Sequence, residues 1–257
     1  MMVCKILKTR RSGMGLVDIT LNIRRYDPDQ DRTWWQKYQV SVGEIMRFVD
    51  VLRTINTELD SSLAWNSSCE HGQCGTCAIL VNKSPVLACE LLVERAINRF
   101  NTTNFTLEPL SIAPVLRDLV VDLEQAYSRV HEAQPYIIQP APLREDETYS
   151  TLFPRNQEAF LEATRCINCF CCAQACLSSH HSFIGPNASM ASIVRLMDPR
   201  ETACEERLKL LYSDRGLYRC HTSRACSFVC PKEIDVAHFL ALAKQGQFAH
   251  SHCSDKG

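Results

Sequence analysis

The sequence has no large excess of charge of either sign and no long apolar run. Its 257 residues include 28 basic and 29 acidic ones, for a formal net charge of −1. Such a balance provides no basic face for nucleic acid or for an anionic membrane surface. The longest apolar runs, such as residues 239–243, are far shorter than the ~20 residues that a helix needs to span a bilayer. Any membrane anchor is therefore expected on another subunit.

The beginning of the chain also lacks the pattern of an export signal. Arg10 and Arg11 have the form of a twin-arginine motif, but charged and polar residues interrupt the apolar stretch that such a signal requires. We therefore expect residues 1–15 to form a tail.

Cysteine, in contrast, is abundant, with fifteen residues in the chain. A disulfide framework is typical of much shorter secreted domains and of even numbers of cysteines. Here the cysteines occur in short-spaced groups, and Cys171 and Cys172 are adjacent. This spacing favours metal binding in a reducing compartment over cross-links.

The hydrophobic pattern differs between the two halves of the chain. In the first half, period-two alternation predicts strands at 17–23 and 35–42, and helical spacing predicts a helix at 45–55. Further strands are predicted at 78–81, 86–93 and 105–107. This order is typical of a small sheet grasping one helix. In the second half, helices are predicted beside the cysteine groups, at 158–164, 192–196 and 236–243.

A proline-containing, charged segment separates the two halves and has the composition of a linker. We therefore predict an α+β chain with a β-grasp domain followed by an all-helical domain. The predicted boundaries are a tail at 1–15, the first domain at 16–130, a linker at 131–153, the helical domain at 154–246 and a second tail at 247–257.

The first cysteine group has the spacing of plant-type ferredoxins, in which four thiolates bind a [2Fe–2S] cluster. Its members are Cys69, Cys74, Cys77 and Cys89. Gly72 and Gly75 suit a loop that wraps the cluster closely, because a Cβ would clash where the backbone approaches the sulfurs. The wrapped backbone would also direct N–H groups at the cluster. A tetrahedral zinc site is the alternative, but the first spacing is unusual for zinc and would not need the glycines.

The second and third groups complement each other in the manner of bacterial ferredoxins. In that motif three cysteines bind one cubane, and a fourth cysteine, three residues further on, ligates the other cluster. On this pattern a [4Fe–4S] cluster is held by Cys166, Cys169, Cys172 and Cys230. The other cluster is held by Cys176, Cys220 and Cys226. Each group thus supplies a ligand that the other lacks.

Ser223 stands where the full bacterial spacing would have a cysteine. Without that thiolate the fourth iron lacks a protein ligand, so we predict a [3Fe–4S] cluster in this site. A cubane with a serine oxygen as its fourth ligand stays open as an alternative, although a hard alkoxide suits iron–sulfur chemistry poorly.

Four cysteines lie outside these sets: Cys4, Cys171, Cys204 and Cys253. We interpret Cys171 as a small buried filler. His250, His252 and Cys253 are interpreted as a solvated tail, because no fourth metal ligand is near them. The pair His180 and His181 is interpreted as polar residues at a helix end, with a functional role as the alternative.

The chain resembles the iron–sulfur subunit of succinate dehydrogenase and fumarate reductase, from about residue 19 to about residue 243. The three cysteine groups carry the resemblance, including Cys166-Ile167-Asn168-Cys169, Arg219-Cys220-His221 and Cys230-Pro231-Lys232. Further matching motifs are Glu108-Pro109-Leu110, Arg117-Asp118-Leu119-Val120-Val121-Asp122, Pro135-Tyr136-Ile137-Ile138 and Phe183-Ile184-Gly185-Pro186.

The resemblance implies a non-catalytic electron-transfer subunit with the same three cluster types. In that family a separate flavoprotein interconverts succinate and fumarate on covalently bound FAD. Electrons then pass through the two-iron, four-iron and three-iron clusters to a quinone or another acceptor. The resemblance also implies a peripheral position on the cytoplasmic side of the inner membrane, anchored through partner subunits.

The residues at the acceptor end depart in part from the family pattern. His221 matches the histidine beside the three-iron cluster, so it is a candidate for a quinone site. Leu177, however, stands where the family commonly has proline, and His180 and His181 stand near the position where ubiquinone-using members usually have tryptophan. Menaquinone or a thiol-redox subunit therefore stays open as the acceptor.

Two other classes of iron–sulfur protein fit the sequence less well than the succinate dehydrogenase and fumarate reductase family. Stand-alone ferredoxins are usually shorter and acidic, whereas this chain is nearly neutral. Iron–sulfur subunits of heterodisulfide-type or glycolate-type systems usually lack a fused two-iron domain, which the first cysteine group predicts here.

Overall fold

The structure is a computed structural model, described for residues 15–43, 45–143, 145–146 and 156–248. Most of the two predicted tails lies outside the described residues; the exceptions are residues 15, 247 and 248. Linker residues 144 and 147–153 lie outside them too. The described chain forms two compact units. The first contains the residues up to Leu123 together with Ile167–Cys171, and the second contains Glu124–Cys166 and the residues after Cys171. The domain boundaries at residues 130 and 153 stay predictions.

A five-stranded sheet forms the centre of the first unit. Its strands are β1 (Leu16–Asp27), β2 (Arg32–Gly43), β3 (Ala78–Val81), β4 (Ser84–Leu87) and β5 (Asn104–Glu108). They lie in the order β2-β1-β5-β3-β4, with β1 and β5 parallel and the other neighbours antiparallel. Alternate residues of β1 are buried, namely Ile19, Leu21 and Ile23, because successive side chains of a strand point to opposite faces.

The helix predicted at 45–55 packs on this sheet. Helix α1 (Phe48–Thr54) buries four apolar side chains and continues into a π-helical turn at Ile55–Leu59. The Phe48 ring meets the Phe105 ring of β5 edge to face, with 5.2 Å between the ring centroids. The predicted α+β class with a β-grasp first domain is confirmed. The unit also contains α2 (Val93–Phe100), β6 (Val115–Arg117) and β7 (Val120–Val121).

The predicted strand at 86–93 is wrong from residue 88 onward. Strand β4 ends at Leu87, and the backbone N–H groups of Glu90 and Leu91 both donate to the Leu87 carbonyl, at 3.0 and 3.1 Å. The resulting turn carries Cys89, and helix α2 follows it. The apolar residues of this stretch are buried in a turn and at the start of a helix. Period-two alternation indicates a strand and does not report burial of this kind.

The second unit is helical. Its helices are α3 (Glu124–Glu132), α4 (Gln157–Thr164), α5 (Cys171–Ala175, beginning at the division between the units), α6 (Pro186–Met197), α7 (Cys204–Leu211), α8 (Ala225–Phe228) and α9 (Val236–Lys244). Short 3-10 turns lie at Leu177–His180 and Leu217–Arg219. Helix α6 is central and packs on α3, α4, α7 and α9. The three helices predicted in this half are confirmed. Among the described residues, no helix combines the length and the apolarity needed to cross a bilayer.

Candidate iron–sulfur centres

The first candidate centre is an irregular loop between α1 with its π-helical turn and strand β3. Backbone N–H groups of this loop point at cysteine sulfurs. The Sγ of Cys69 accepts from the N–H groups of Gln73 at 3.2 Å and Cys74 at 3.3 Å, and the Sγ of Cys89 accepts from Gly72 at 3.2 Å. Donors aimed at sulfur stabilise the negative charge of a thiolate or of a cluster bound to it.

Two left-handed glycines shape this loop. Gly72 has φ +63° and Gly75 has φ +76°, a region that residues with a Cβ rarely adopt. A Cβ on Gly72 would also collide with the side chain of Glu90, and a Cβ on Gly75 would collide with Cys169. Both glycines therefore stand where the backbone conformation and the neighbouring residues exclude a side chain, and the wrap of this loop around a cluster stays a prediction.

The thiols of the first group differ in acidity. Burial on its own would raise the pKa of Cys74, but hydrogen bonds, chiefly with the Thr76 hydroxyl at 3.1 Å, lower the pKa to about 6. Burial, together with the neighbouring thiols of Cys89 and Cys74, raises the pKa of Cys77 to about 12. Burial therefore opposes the thiolate form of Cys77, and a bound metal would favour that form, since a metal ion deprotonates a coordinating thiol.

Two arginines from the α1 region hold this loop, and neither was predicted from the sequence. Arg47 Nη1 donates to the Glu70 carbonyl at 2.7 Å, and Arg53 forms an ion pair with the Glu70 carboxylate. Ser67 Oγ donates to the same carboxylate at 2.9 Å. The only hint in the sequence was the position of Glu70 directly after Cys69, which does not reveal a partner about twenty residues away along the chain.

The cysteines of the predicted four-iron centre lie at the ends of short helices. Cys166 follows α4, Cys172 lies in α5 and Cys230 follows α8. Cys169 is buried in the segment Ile167–Cys171, which belongs to the first unit. This ligand set stays a prediction.

Cys171 is fully buried, as expected of a filler, and it has a further contact. A hydrogen bond from the Cys171 side chain lowers the pKa of Cys169. Cys171 therefore favours the thiolate form of a predicted cluster ligand.

The third candidate centre is a cavity of about 110 Å³ in the second unit. Its lining includes the three cysteines of the predicted three-iron site, Cys176, Cys220 and Cys226. Burial, reinforced by the two neighbouring thiols, raises the pKa of Cys226 to about 11. Room for one water needs only about 10–15 Å³, so a thiol-lined cavity of this size fits a small inorganic group.

Ser223 also lines this cavity, in a loop whose backbone repeats that of the four-iron motif. Thr222 and Arg224, on either side of Ser223, are left-handed at φ +55° and +62°. Asn168 and Phe170, on either side of Cys169, are left-handed at +51° and +62°. Ser223 thus occupies the backbone position at which the other motif presents a cysteine.

Polar groups support the loop before Ser223. The Thr222 N–H donates to Cys220 Sγ at 3.4 Å. Lys244 Nζ, from the end of α9, donates to the Cys220 carbonyl at 2.5 Å and to the Thr222 hydroxyl at 3.2 Å. The cavity rim adds His221 and Leu177, and the latter is 83% exposed.

The other cysteines and histidines singled out from the sequence have other contacts or lie outside the described residues. Cys204 begins α7 and is disulfide-bonded, so its sulfur is not available to a cluster. His180 Nε2 contacts the Gln174 carbonyl at 3.2 Å, in line with a polar helix-end residue. Cys4, His250, His252 and Cys253 lie outside the described residues. Within the described ranges, no three His, Cys, Asp or Glu side chains are arranged to hold a single metal ion.

Comparison with protein families gives two matches that follow one another along the chain. Residues 20–128 match a 2Fe-2S iron-sulfur cluster binding domain, and residues 162–234 match a 4Fe-4S dicluster domain. The two matches define an iron–sulfur protein with a two-iron domain and a dicluster domain. These family matches confirm the predicted [2Fe–2S] and [4Fe–4S] cofactors.

A curated relative then identifies the family. The chain is 31% identical over 239 residues to the fumarate reductase iron-sulfur subunit of Haemophilus influenzae, covering 88% of this chain and 91% of the relative. The chain belongs to the family of succinate dehydrogenase and fumarate reductase iron–sulfur subunits. It is an electron-transfer component of an oxidoreductase complex, as the sequence predicts.

Two solved structures share the fold. A chain of the Mycobacterium smegmatis Sdh1 complex in the apo form matches with a TM-score of 0.74 and 23% identity, covering 95% of this chain and all of that chain. A hypothetical protein from Helicobacter pylori matches with a TM-score of 0.56 and 14% identity, covering 91% of this chain and 40% of that chain.

Proposed function

We propose that this chain carries electrons between a flavoprotein subunit, in which FAD interconverts succinate and fumarate, and a quinone. When bound, the clusters supply one-electron oxidation and reduction. The proposed ligands are Cys69, Cys74, Cys77 and Cys89 for [2Fe–2S], Cys166, Cys169, Cys172 and Cys230 for [4Fe–4S], and Cys176, Cys220 and Cys226 for [3Fe–4S]. The proposed location is the cytoplasmic face of the inner membrane, through anchor subunits.

The observation that carries this proposal is the cavity lined by three cysteines and Ser223. Three thiols with a serine at the fourth ligand position match the ligand needs of a three-iron cluster. In the loop before Ser223, the Thr222 N–H donates to Cys220 Sγ, and the Lys244 ammonium group donates to the Cys220 carbonyl. Donors and positive charge beside a cluster stabilise its reduced form, which suits an acceptor-side centre.

The rim of the cavity supports a quinone as the acceptor. A quinone has an apolar ring and carbonyl oxygens that accept hydrogen bonds, and small-molecule sites combine apolar walls with a few placed polar groups. His221 supplies an imidazole and Leu177 an exposed apolar side chain at the rim.

A thiol-redox or heterodisulfide-type subunit is the second candidate acceptor. Leu177 departs from the proline that the family commonly has, and His180 and His181 depart from the tryptophan of ubiquinone-using members. These departures favour testing a thiol-redox acceptor. The purified complex should be assayed with ubiquinone, menaquinone and disulfide acceptors in parallel. Turnover with a quinone and none with a disulfide is the expected result, and the reverse would contradict the quinone assignment. Failure to co-purify with a flavoprotein would favour a stand-alone carrier.

The cluster assignment is tested by metal analysis and electron paramagnetic resonance (EPR) of the purified complex, prepared without oxygen. We expect about nine irons for each copy of this chain, the total for the three cluster types, and a three-iron signal in the oxidised state. Zinc in place of iron, or an oxidised sample without the three-iron signal, would contradict the assignment.

A further inference from the structure

Gly75 lies against the backbone of Cys169 within the first unit. A Cβ added to Gly75 would come within 2.9 Å of both the Cα and the Cβ of Cys169 and within 3.3 Å of its backbone nitrogen. Real Cβ atoms essentially never make contacts under 3.0 Å. A side chain at position 75 therefore has no room unless one of the two loops moves away.

The backbone loop that carries Cys169 cannot easily move away from Gly75. Its neighbours Asn168 and Phe170 are both left-handed, which for a bulky residue such as phenylalanine is a genuine outlier. Strained backbone of this kind persists only where the surrounding structure enforces it. Phe170 and Cys171 are buried at 2% and 0% exposure, so packing of the two residues that follow Cys169 holds this loop in place.

The segment around Cys169 also groups with the two-iron loop in the compact unit. Ile167–Cys171 belongs with the residues up to Leu123, although the chain on either side of this segment belongs to the second unit. Gly75 stands between Cys74 and Cys77, two proposed ligands of the two-iron cluster. The contact thus joins the ligand loop of one proposed cluster to a proposed ligand of the next.

We propose that Gly75 is a positioning residue for electron transfer between the two-iron and four-iron centres. Its missing side chain lets the two-iron loop approach Cys169, and any side chain there would lengthen the path between the centres. With both clusters bound, one electron would pass along this path, so that one centre would be oxidised as the other is reduced, with no bond or proton exchanged. This inference rests on the proposed ligand sets.

The test compares Gly75→Ala with wild type in the assembled complex. The readout is the magnetic interaction between the reduced two-iron and four-iron centres, measured as enhanced spin relaxation by EPR. We expect Gly75→Ala to keep the signals of both centres at wild-type intensity and to lose part of the relaxation enhancement. Single-turnover reduction of the four-iron centre should slow in parallel.

A glycine outside the first unit provides the matched control. Gly246 has φ +74° and nothing within 4 Å of an added Cβ, so Gly246→Ala tests backbone strain alone. This variant should keep the wild-type interaction between the centres.

Each other outcome has a defined meaning. An unchanged interaction in Gly75→Ala overturns the proposal. An equal loss in Gly246→Ala would assign the effect to backbone strain, and that result overturns the proposal. Loss of the two-iron signal itself in Gly75→Ala would assign the glycine to cluster binding and also overturns it. Absence of either signal in the wild type would contradict the proposed ligand sets instead.

Discussion

Arg207 and Glu201 form an ion pair in which neither side chain is exposed to solvent. Arg207 Nη1 also donates to the Gln134 carbonyl at 2.7 Å. Glu201 accepts from the backbone N–H groups of Ile138 at 2.9 Å and Gln139 at 3.1 Å. The pair therefore fixes the segment after α3 inside the helical unit. A buried charge with this many partners is costly to leave uncompensated.

Breaking this pair should strongly destabilise the protein. We expect Arg207→Met to lower the free energy of unfolding by about 3–5 kcal/mol, because it leaves the Glu201 charge buried without its partner. The measurement is urea unfolding of the cluster-loaded protein followed by circular dichroism. Arg215→Met is the matched control, since Arg215 and its partner Glu132 are 44% and 40% exposed. Exposed pairs contribute less than about 1 kcal/mol, so equal losses in the two variants would contradict the prediction.

The same pair predicts a dependence of stability on pH. Burial alone would raise the pKa of Glu201, but hydrogen bonds, those from the Ile138 and Ala203 N–H groups first and Arg207 after them, lower it below the ordinary value of 4.5. Because the folded-state pKa is the lower one, the ionised carboxylate stabilises the folded state above pH 4.5. That contribution is lost as the pH falls below this value towards the folded-state pKa.

Glu201→Gln provides the comparison for this dependence. Its urea midpoint should fall less than that of the wild type between about pH 6 and about pH 3.5. The absorbance of the clusters, recorded for each sample, separates unfolding from acid loss of iron. Parallel curves for the two proteins would show that Glu201 does not contribute to the acid sensitivity.

The cysteine spacing allowed the candidate centres to be predicted, because ligand spacing is a local property of the chain. The two glycines of the first loop were predicted for the same reason, since close wrapping of a cluster requires them. The strand predicted at 86–93 is wrong after residue 87, because a single turn carries Cys89 there and helix α2 follows it at once. Apolar residues in a turn are buried by neighbours distant in sequence, which periodicity does not report.

Long-range contacts account for what the sequence did not predict. Arg47 and Arg53 hold Glu70 from about twenty residues away, and no local pattern pairs them. The sequence also assigned Cys169 to the helical half, whereas its segment lies in the compact unit of the sheet. Gly75 belongs to the loop of the first cysteine group, and only the tertiary structure shows that it also lies against Cys169.

His221 should affect the acceptor step more than the flavin step. His221 lines the cavity of the proposed three-iron site, so His221→Ala should slow quinone reduction severalfold while sparing electron transfer from succinate to an artificial dye. His180→Ala is the control, since this exposed histidine contacts the Gln174 carbonyl and is absent from the cavity lining. An equal loss in both assays for His221→Ala would refute the role.

Ser223→Cys should convert the three-iron site into a cubane. The left-handed residues on both sides of Ser223 give it the backbone position of Cys169 in the other motif, so a thiol placed there has the geometry of a fourth ligand. The iron content should rise from about nine to about ten per chain, and the three-iron signal of the oxidised protein should disappear. Ser223→Ala, which removes the hydroxyl without adding a ligand, should keep both at wild-type values. If wild type already holds a serine-ligated cubane, Ser223→Ala would instead lose an iron and gain the three-iron signal.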